Sequence, residues 1–179
     1  KSTLLNIIAG IIRPTSGSIQ LRGQELTSLS DKEWDAIRTK DIGYVFQSFY
    51  LLPGFSALEN VLLAMQFAGT LRGKSREERA KQLLQRVGLE TRMHHRPHQL
   101  SNGEQQRVAI ARAIANNPSL VLADEPTASL DSQRAFEIVE LISKGVKSRN
   151  KAAIMVTHDE RLLTYCDKVY QMLDGNLEL

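Results

Sequence analysis

Residues 100–131 read LSNGEQQRVAIARAIANNPSLVLADEPTASLD, and the order of polar, small and apolar groups in this stretch decides the fold. Ser101, Asn102 and Gly103 open a helix: Ser and Asn bring capping oxygens, and Gly lets backbone approach a ligand closely. A helix start offers free N–H groups and the positive end of a dipole, which suits phosphate. Val108, Ala109, Ala111, Ile114 and Ala115 give the helix a small-residue packing face, and Asn116, Asn117 and Pro118 stop it. Residues 120–123, LVLA, form an unbroken apolar run, as expected for a strand covered on both faces of a parallel sheet. The run ends in Asp124-Glu125-Pro126. Two adjacent carboxylates at the end of a buried strand are costly unless a cation or a reaction uses them.

Toward the N-terminus, Lys1-Ser2-Thr3 precedes LLNIIAGI, as the end of a G-x-x-x-x-G-K-[ST] phosphate loop would precede its helix. Ser or Thr caps many helices, so KST gains weight only beside the acidic strand. In that reading Lys1 reaches the β- and γ-phosphates, Ser2 ligates Mg²⁺ and Thr3 adds phosphate contacts. Residues 18–21 read as a short strand, turned at 22–24. Residues 31–40 read as a charged helix whose Trp34 is a packing anchor, and 42–46 as a strand ending in Gln47. Helices are predicted over 56–69, 75–88 and 132–149, and strands over 152–157 and 167–173, the last turned by Asp174-Gly175-Asn176. The pattern is that of one α/β domain, with a core of 1–47 and 118–179 and a helical insertion at 48–117. His158 follows the strand at 152–157, read as buried. Most lone histidines are structural or solvated, but open α/β sheets bind ligands at their carboxyl strand ends.

Taken together, LSNGEQ, LVLADE and ASLD, in order within 32 residues and behind KST, closely resemble the motifs of the ATP-binding cassette family, the ATPase subunits of ABC transporters. LSNGEQ stands where that family has its LSGGQ signature, LVLADE where it has its Walker B strand, and ASLD where it has its D-loop. The resemblance covers essentially the whole chain. It implies a P-loop NTPase, RecA-like core with an inserted helical subdomain, and ATP and Mg²⁺ as cofactors. It assigns catalytic roles to Glu125, His158 and Gln47, and the metal to Ser2, Gln47 and Asp124. It assigns nucleotide contacts to Lys1, Ser2, Thr3, Ser101, Asn102, Gly103, Glu104 and Asp131. It further implies a head-to-tail homodimer in which Ser101 and Gly103 meet the nucleotide of the other copy. A transmembrane subunit would be the partner, at the cytoplasmic face of the membrane, with part of residues 49–55 forming a groove for one of its helices. Those apolar side chains could equally be core.

Two positions depart from the family pattern: Asn102 replaces the first Gly of the signature, and Glu104 its usual Gln. Asn tolerates left-handed backbone better than most residues. Glu104, LLPGFSALENV and LADEPTASLD resemble the lipoprotein-release, macrolide-export and haem-export branch, which implies an exporter. The resemblance also places the glycines of the phosphate loop and its preceding strand upstream of Lys1. It follows that the 179 residues alone are expected to bind ATP weakly, not to turn it over, and to expose sheet edges.

Bulk properties agree. The chain has 42% hydrophobic and 24% charged residues and a net charge of +3, too small to argue for nucleic acid. A single cysteine, Cys166, excludes an internal disulfide, and no apolar run reaches the roughly 18 residues of a membrane span. His94, His95 and His98 match no tight metal spacing and read as a polar loop, and the eight Lys or Arg against three Glu in 70–98 read as a solvated face. The rival reading is a soluble ATPase of the same family acting in DNA repair, chromosome structure or translation. Such proteins usually carry long coiled coils, zinc insertions or two cassettes, and neither sustained heptads nor CxxC pairs occur here. Against a non-catalytic module stand Glu125 and His158.

Overall fold

A computed structural model describes every residue except 129, 131, 148–150 and 179, and the side chain of 147. Its centre is a three-stranded parallel sheet of β3 (Ile42–Val45), β4 (Leu120–Asp124) and β5 (Ala152–Val156). β4 lies in the middle, with Val45 opposite Ala123 and Asp124 opposite Val156. All five β4 residues are buried, as their apolar run requires. On one side of the sheet, α1 (Ser2–Ile8) and α2 (Asp31–Asp41) pack Leu5, Ala9 and Trp34 against Ile42, Leu120 and Leu122. Trp34 is the anchor its sequence suggested. A Cβ on Gly10, which has φ 66°, would lie 2.3 Å from the Trp34 ring, so only glycine fits there.

On the other side, Ile110 of α5 (Asn102–Ala113) and Ile138, Ile142 and Val146 of α6 (Ser132–Lys147) cover Val45, Val121 and Ala123. A second cluster joins α3 (Ala57–Ala68), α4 (Gly73–Arg86) and α5 through Leu58, Val61, Met65, Leu83, Leu84, Val108 and Ala111. α5 thus serves both cores. Its close seat on β3 needs Gly43, where a Cβ would sit 2.3 Å from the Ala113 carbonyl oxygen. Two antiparallel hairpins complete the chain: β1 (Gln20–Leu21) with β2 (Gln24–Glu25), and β6 (Gln171–Leu173) with β7 (Asn176–Glu178).

Four elements differ from expectation, the first being the strand read at 18–21, which begins at Gln20. β5 is not a buried strand: Ala152, Ala153 and Ile154 are exposed, because among the described residues β5 pairs with β4 alone. The last expected strand is shorter and begins at Gln171. α5 stops at Ala113 rather than running to Asn116, and Asn117 takes φ 58° in the turn.

Candidate functional site

Parallel strands bring their carboxyl ends to one edge, and here that edge carries the polar side chains. Gln47 lies two residues beyond β3, Asp124 ends β4 with Glu125 directly after it, and His158 lies two residues beyond β5. The start of α1 reaches the same edge. Ser2 Oγ donates a hydrogen bond to Asp124 Oδ1 at 3.1 Å. His158 Nδ1 is 2.9 Å from Glu125 Oε2, with Glu125 largely buried and His158 largely exposed. The contact lacks hydrogen-bond alignment, so Glu125 Oε2 remains a buried acceptor without a hydrogen-bond partner among the described residues. Such an atom is costly to leave unpaired. The backbone bears strain at the same point: Glu125 has φ 45°, an unusual conformation for a non-glycine residue. Its N–H donates to the Val156 carbonyl at 2.9 Å and its carbonyl accepts from Ala128 at 3.2 Å.

Below this edge Tyr44 donates its hydroxyl to Asn6 Oδ1 at 3.0 Å. Burial, and then the charge of Asp124, push the Tyr44 phenol up to about 12, so it stays a neutral donor.

The start of α5 forms a second polar region. Ser101 is the N-cap: its side chain accepts from the Glu104 N–H, and Glu104 Oε2 accepts from the Ser101 N–H at 2.8 Å. That bond comes first among the causes that hold the Glu104 carboxyl below its ordinary value. Burial opposes it, and the Ser101 hydroxyl and the charge of Arg92, 3.6 Å away, reinforce it. The two Ser/Glu pairs 30/33 and 56/59 close the starts of α2 and α3 in the same way. Ser101, Gly103, Glu104, Arg107 and Arg134 face a cavity of about 330 Å³ that none of Ser2, Asp124, Glu125 or His158 lines. Asn102 lies within the helix and has no left-handed backbone, so its place in the signature carries no conformational strain. It is not a second cap, because Ser101 already holds that position.

After Gln47 the chain folds back against α5. Tyr44 and Phe46 stack with centroids 3.9 Å apart, and Tyr50 meets Phe46 edge-on at 5.2 Å. Arg112 holds the loop, donating to the Phe49 carbonyl at 2.7 Å and the Tyr50 carbonyl at 2.5 Å. These side chains, with Phe67 and Asn116, border a cleft of about 300 Å³ between β3, α3 and α5. The two readings of residues 49–55 divide by side chain. Leu51 packs on the helical cluster, whereas Tyr50, Leu52 and Phe55 are exposed.

Lys1, Thr3 and Gln47 are exposed, and no side-chain hydrogen bond fixes them among the described residues. Asp131 lies outside the described residues. His95 approaches Arg92 Nη1 at 3.1 Å, in a segment of short helical turns. Two residues escaped the sequence reading: Arg112, and Gln106, which is 1% exposed on α5. Gln106 lies four residues before buried Ile110, on a stripe of α5 outside the small-residue face, and Arg112 follows buried Ala111; at both places a polar residue reads as solvated.

The family model described as ABC transporter matches residues 1–128. An uncharacterized ABC transporter ATP-binding protein of Thermotoga maritima is 47% identical over 178 residues, covering 99% of this chain and 75% of that one. HrtA of Staphylococcus haemolyticus, whose name assigns it to hemin import, is 45% identical over 181 residues, covering 100% and 80%. YtrE of Bacillus subtilis, an ABC transporter ATP-binding protein, is 43% identical over 178 residues, covering 99% and 77%. The dimeric, post-hydrolysis structure of the ATP-binding cassette MJ0796 bound to ADP and Pi has a TM-score of 0.91 at 41% identity, over 99% of this chain and 78% of that one. Motifs, sheet topology and relatives agree: the chain belongs to the ATP-binding cassette family, as an ATP-binding and ATP-hydrolysing subunit of a transporter.

Proposed function

We propose that the carboxyl edge of the sheet is where this subunit hydrolyses ATP, and that the cleft beside Gln47 passes the cycle to a membrane partner. The observation that carries the first part is the pairing of Ser2 with Asp124 and of His158 with Glu125 at one edge. Ser2 and Asp124 supply hard oxygens close together, with Gln47 as a third, a donor set that suits Mg²⁺. The ion, when bound, neutralises charge on the β- and γ-phosphates. Glu125 takes the proton of the attacking water or orients it, through the buried Oε2 that lacks a hydrogen bond. His158, held by Glu125, and Lys1 stabilise charge on the phosphoryl oxygens, and Thr3 adds a phosphate contact. Ser101, Asn102, Gly103 and Glu104 act on the nucleotide of a second copy, and Asp131 adds a nucleotide contact. The separate cavity at the start of α5, together with the dimeric state of MJ0796, supports this division between copies.

No helix among the described residues is long and apolar enough to cross a membrane. The exposed Tyr50 and Phe67 on the cleft, with the exposed Leu52 and Phe55 of the loop that carries Tyr50, support docking of a helix of a transmembrane subunit at the cytoplasmic face of the membrane. The hemin-named relatives support an amphipathic small-molecule cargo, selected by that partner. Their name says import, whereas the export-type signature of this chain supports outward movement. Glu125→Gln in the full-length protein tests the catalytic edge. ATP binding is expected to persist while hydrolysis slows roughly 10²–10⁴-fold. Turnover at the wild-type rate would sink the assignment.

A further inference from the structure

We infer that Gln106 is a positioning residue for Glu125: a buried amide on the signature helix that holds the strained turn carrying the catalytic carboxylate. This rests on the assignment of Glu125 above and extends it to a residue that touches no reacting atom.

Gln106 is the one buried polar side chain on α5, among Val108, Ala109, Ile110 and Ala111. Its Nε2 donates to the Pro126 carbonyl at 2.7 Å, a bond between residues twenty positions apart. Its Oε1 is buried with no hydrogen-bond partner among the described residues. Packing alone does not account for such a group, since Leu or Met would fill the same space without leaving an acceptor unpaired. What the amide supplies is one donor aimed at one carbonyl. That carbonyl follows Glu125 directly. Proline has no N–H of its own, so the turn is short of backbone donors at this point.

The Glu125 turn is therefore held from three directions. The Glu125 N–H is tied to β5 through Val156, the Glu125 carbonyl accepts from Ala128 inside the turn, and the Pro126 carbonyl accepts from Gln106 on α5. A non-glycine residue at φ 45° persists only where its surroundings fix it, and Gln106 supplies the tie from the helical side. Gln106 lies about one and a half turns from Ser101 on the same helix, so the start of α5 and the Glu125 turn are joined by a single rigid element.

The test uses three variants of the full-length protein. Gln106→Met keeps length and volume but cannot donate. It is expected to lower kcat at least tenfold, with KM for ATP within twofold of wild type and thermal unfolding little changed. Gln106→Glu supplies a switchable donor: buried, its carboxyl titrates above the ordinary range, and only the protonated form can donate to the Pro126 carbonyl. Its kcat relative to wild type is expected to fall as pH rises, whereas the same ratio for Gln106→Met stays flat. Glu125→Gln runs in parallel. If that variant turns over normally, the catalytic assignment fails and the positioning role falls with it. If it is slow while Gln106→Met has wild-type kcat, the positioning role is overturned. The role is equally overturned if Gln106→Met loses ATP binding and thermal stability together with kcat, or if the Gln106→Glu ratio does not change with pH.

Discussion

Glu125 combines a left-handed backbone with a largely buried carboxylate that lacks a hydrogen bond at one oxygen. Both features oppose folding, and both are useful to a group that must present an oxygen to a ligand. Replacing it with glycine separates the two effects. Glycine accepts φ 45° without a Cβ clash, and the buried charge disappears with the side chain. Glu125→Gly is expected to resist urea better, by about 0.5–1 kcal/mol after the added entropy of the unfolded chain is subtracted, while hydrolysis is lost. A variant less stable than wild type would show that the turn is relaxed in the free protein. Asp124 and Glu125 were legible in the sequence because two carboxylates closing an apolar run have few other uses. The strain at Glu125 was not, because φ depends on the turn into which Pro126 and Ala128 draw it.

At the scale of elements, three helices begin with the same device: Ser30 with Glu33, Ser56 with Glu59 and Ser101 with Glu104. Each Glu carboxyl is held below its ordinary value by its serine. A carboxyl depressed in the folded state contributes stability that is complete above its unfolded value and lost as pH falls through the folded one. The Tm advantage of wild type over Glu104→Ala is thus expected to be constant above the ordinary Glu value of 4.5 and to shrink below it. A difference that is flat through acid pH would mean that the box is not formed in solution. This motif also explains why the starts of α2 and α3 were readable to within a residue, since Ser-x-x-Glu before an apolar periodic run is local information. The burial of β5 was misjudged for the opposite reason. An apolar run states what a strand prefers, whereas its exposure depends on which elements lie against it. Arg112 went unseen likewise, since its bonds to Phe49 and Tyr50 cross more than sixty residues of chain.

For the whole molecule, the exposed apolar side chains of the loop after Gln47 give a prediction about assembly. Changing Tyr50, Leu52 and Phe55 together to Ser is expected to reduce co-purification with the transmembrane subunit while leaving ATP turnover of the isolated subunit near wild type. Unaltered assembly would return these side chains to ordinary surface. The order of the motifs made the architecture legible, but the double membership of α5 was not, because a helix with apolar positions on two faces reads as a single amphipathic stripe. The way α5 meets β3 has a mechanical consequence. At Gly43 the strand has no side chain and at Ala113 the helix presents backbone, so helix and strand meet there with no spacer between them. Close by, Ile110 is set among Val45, Val121 and Ala123 and holds the helix in register. The contact works as a mortise without play: a single methyl group added at position 43 would wedge the helix off the sheet and draw Ile110 from its socket.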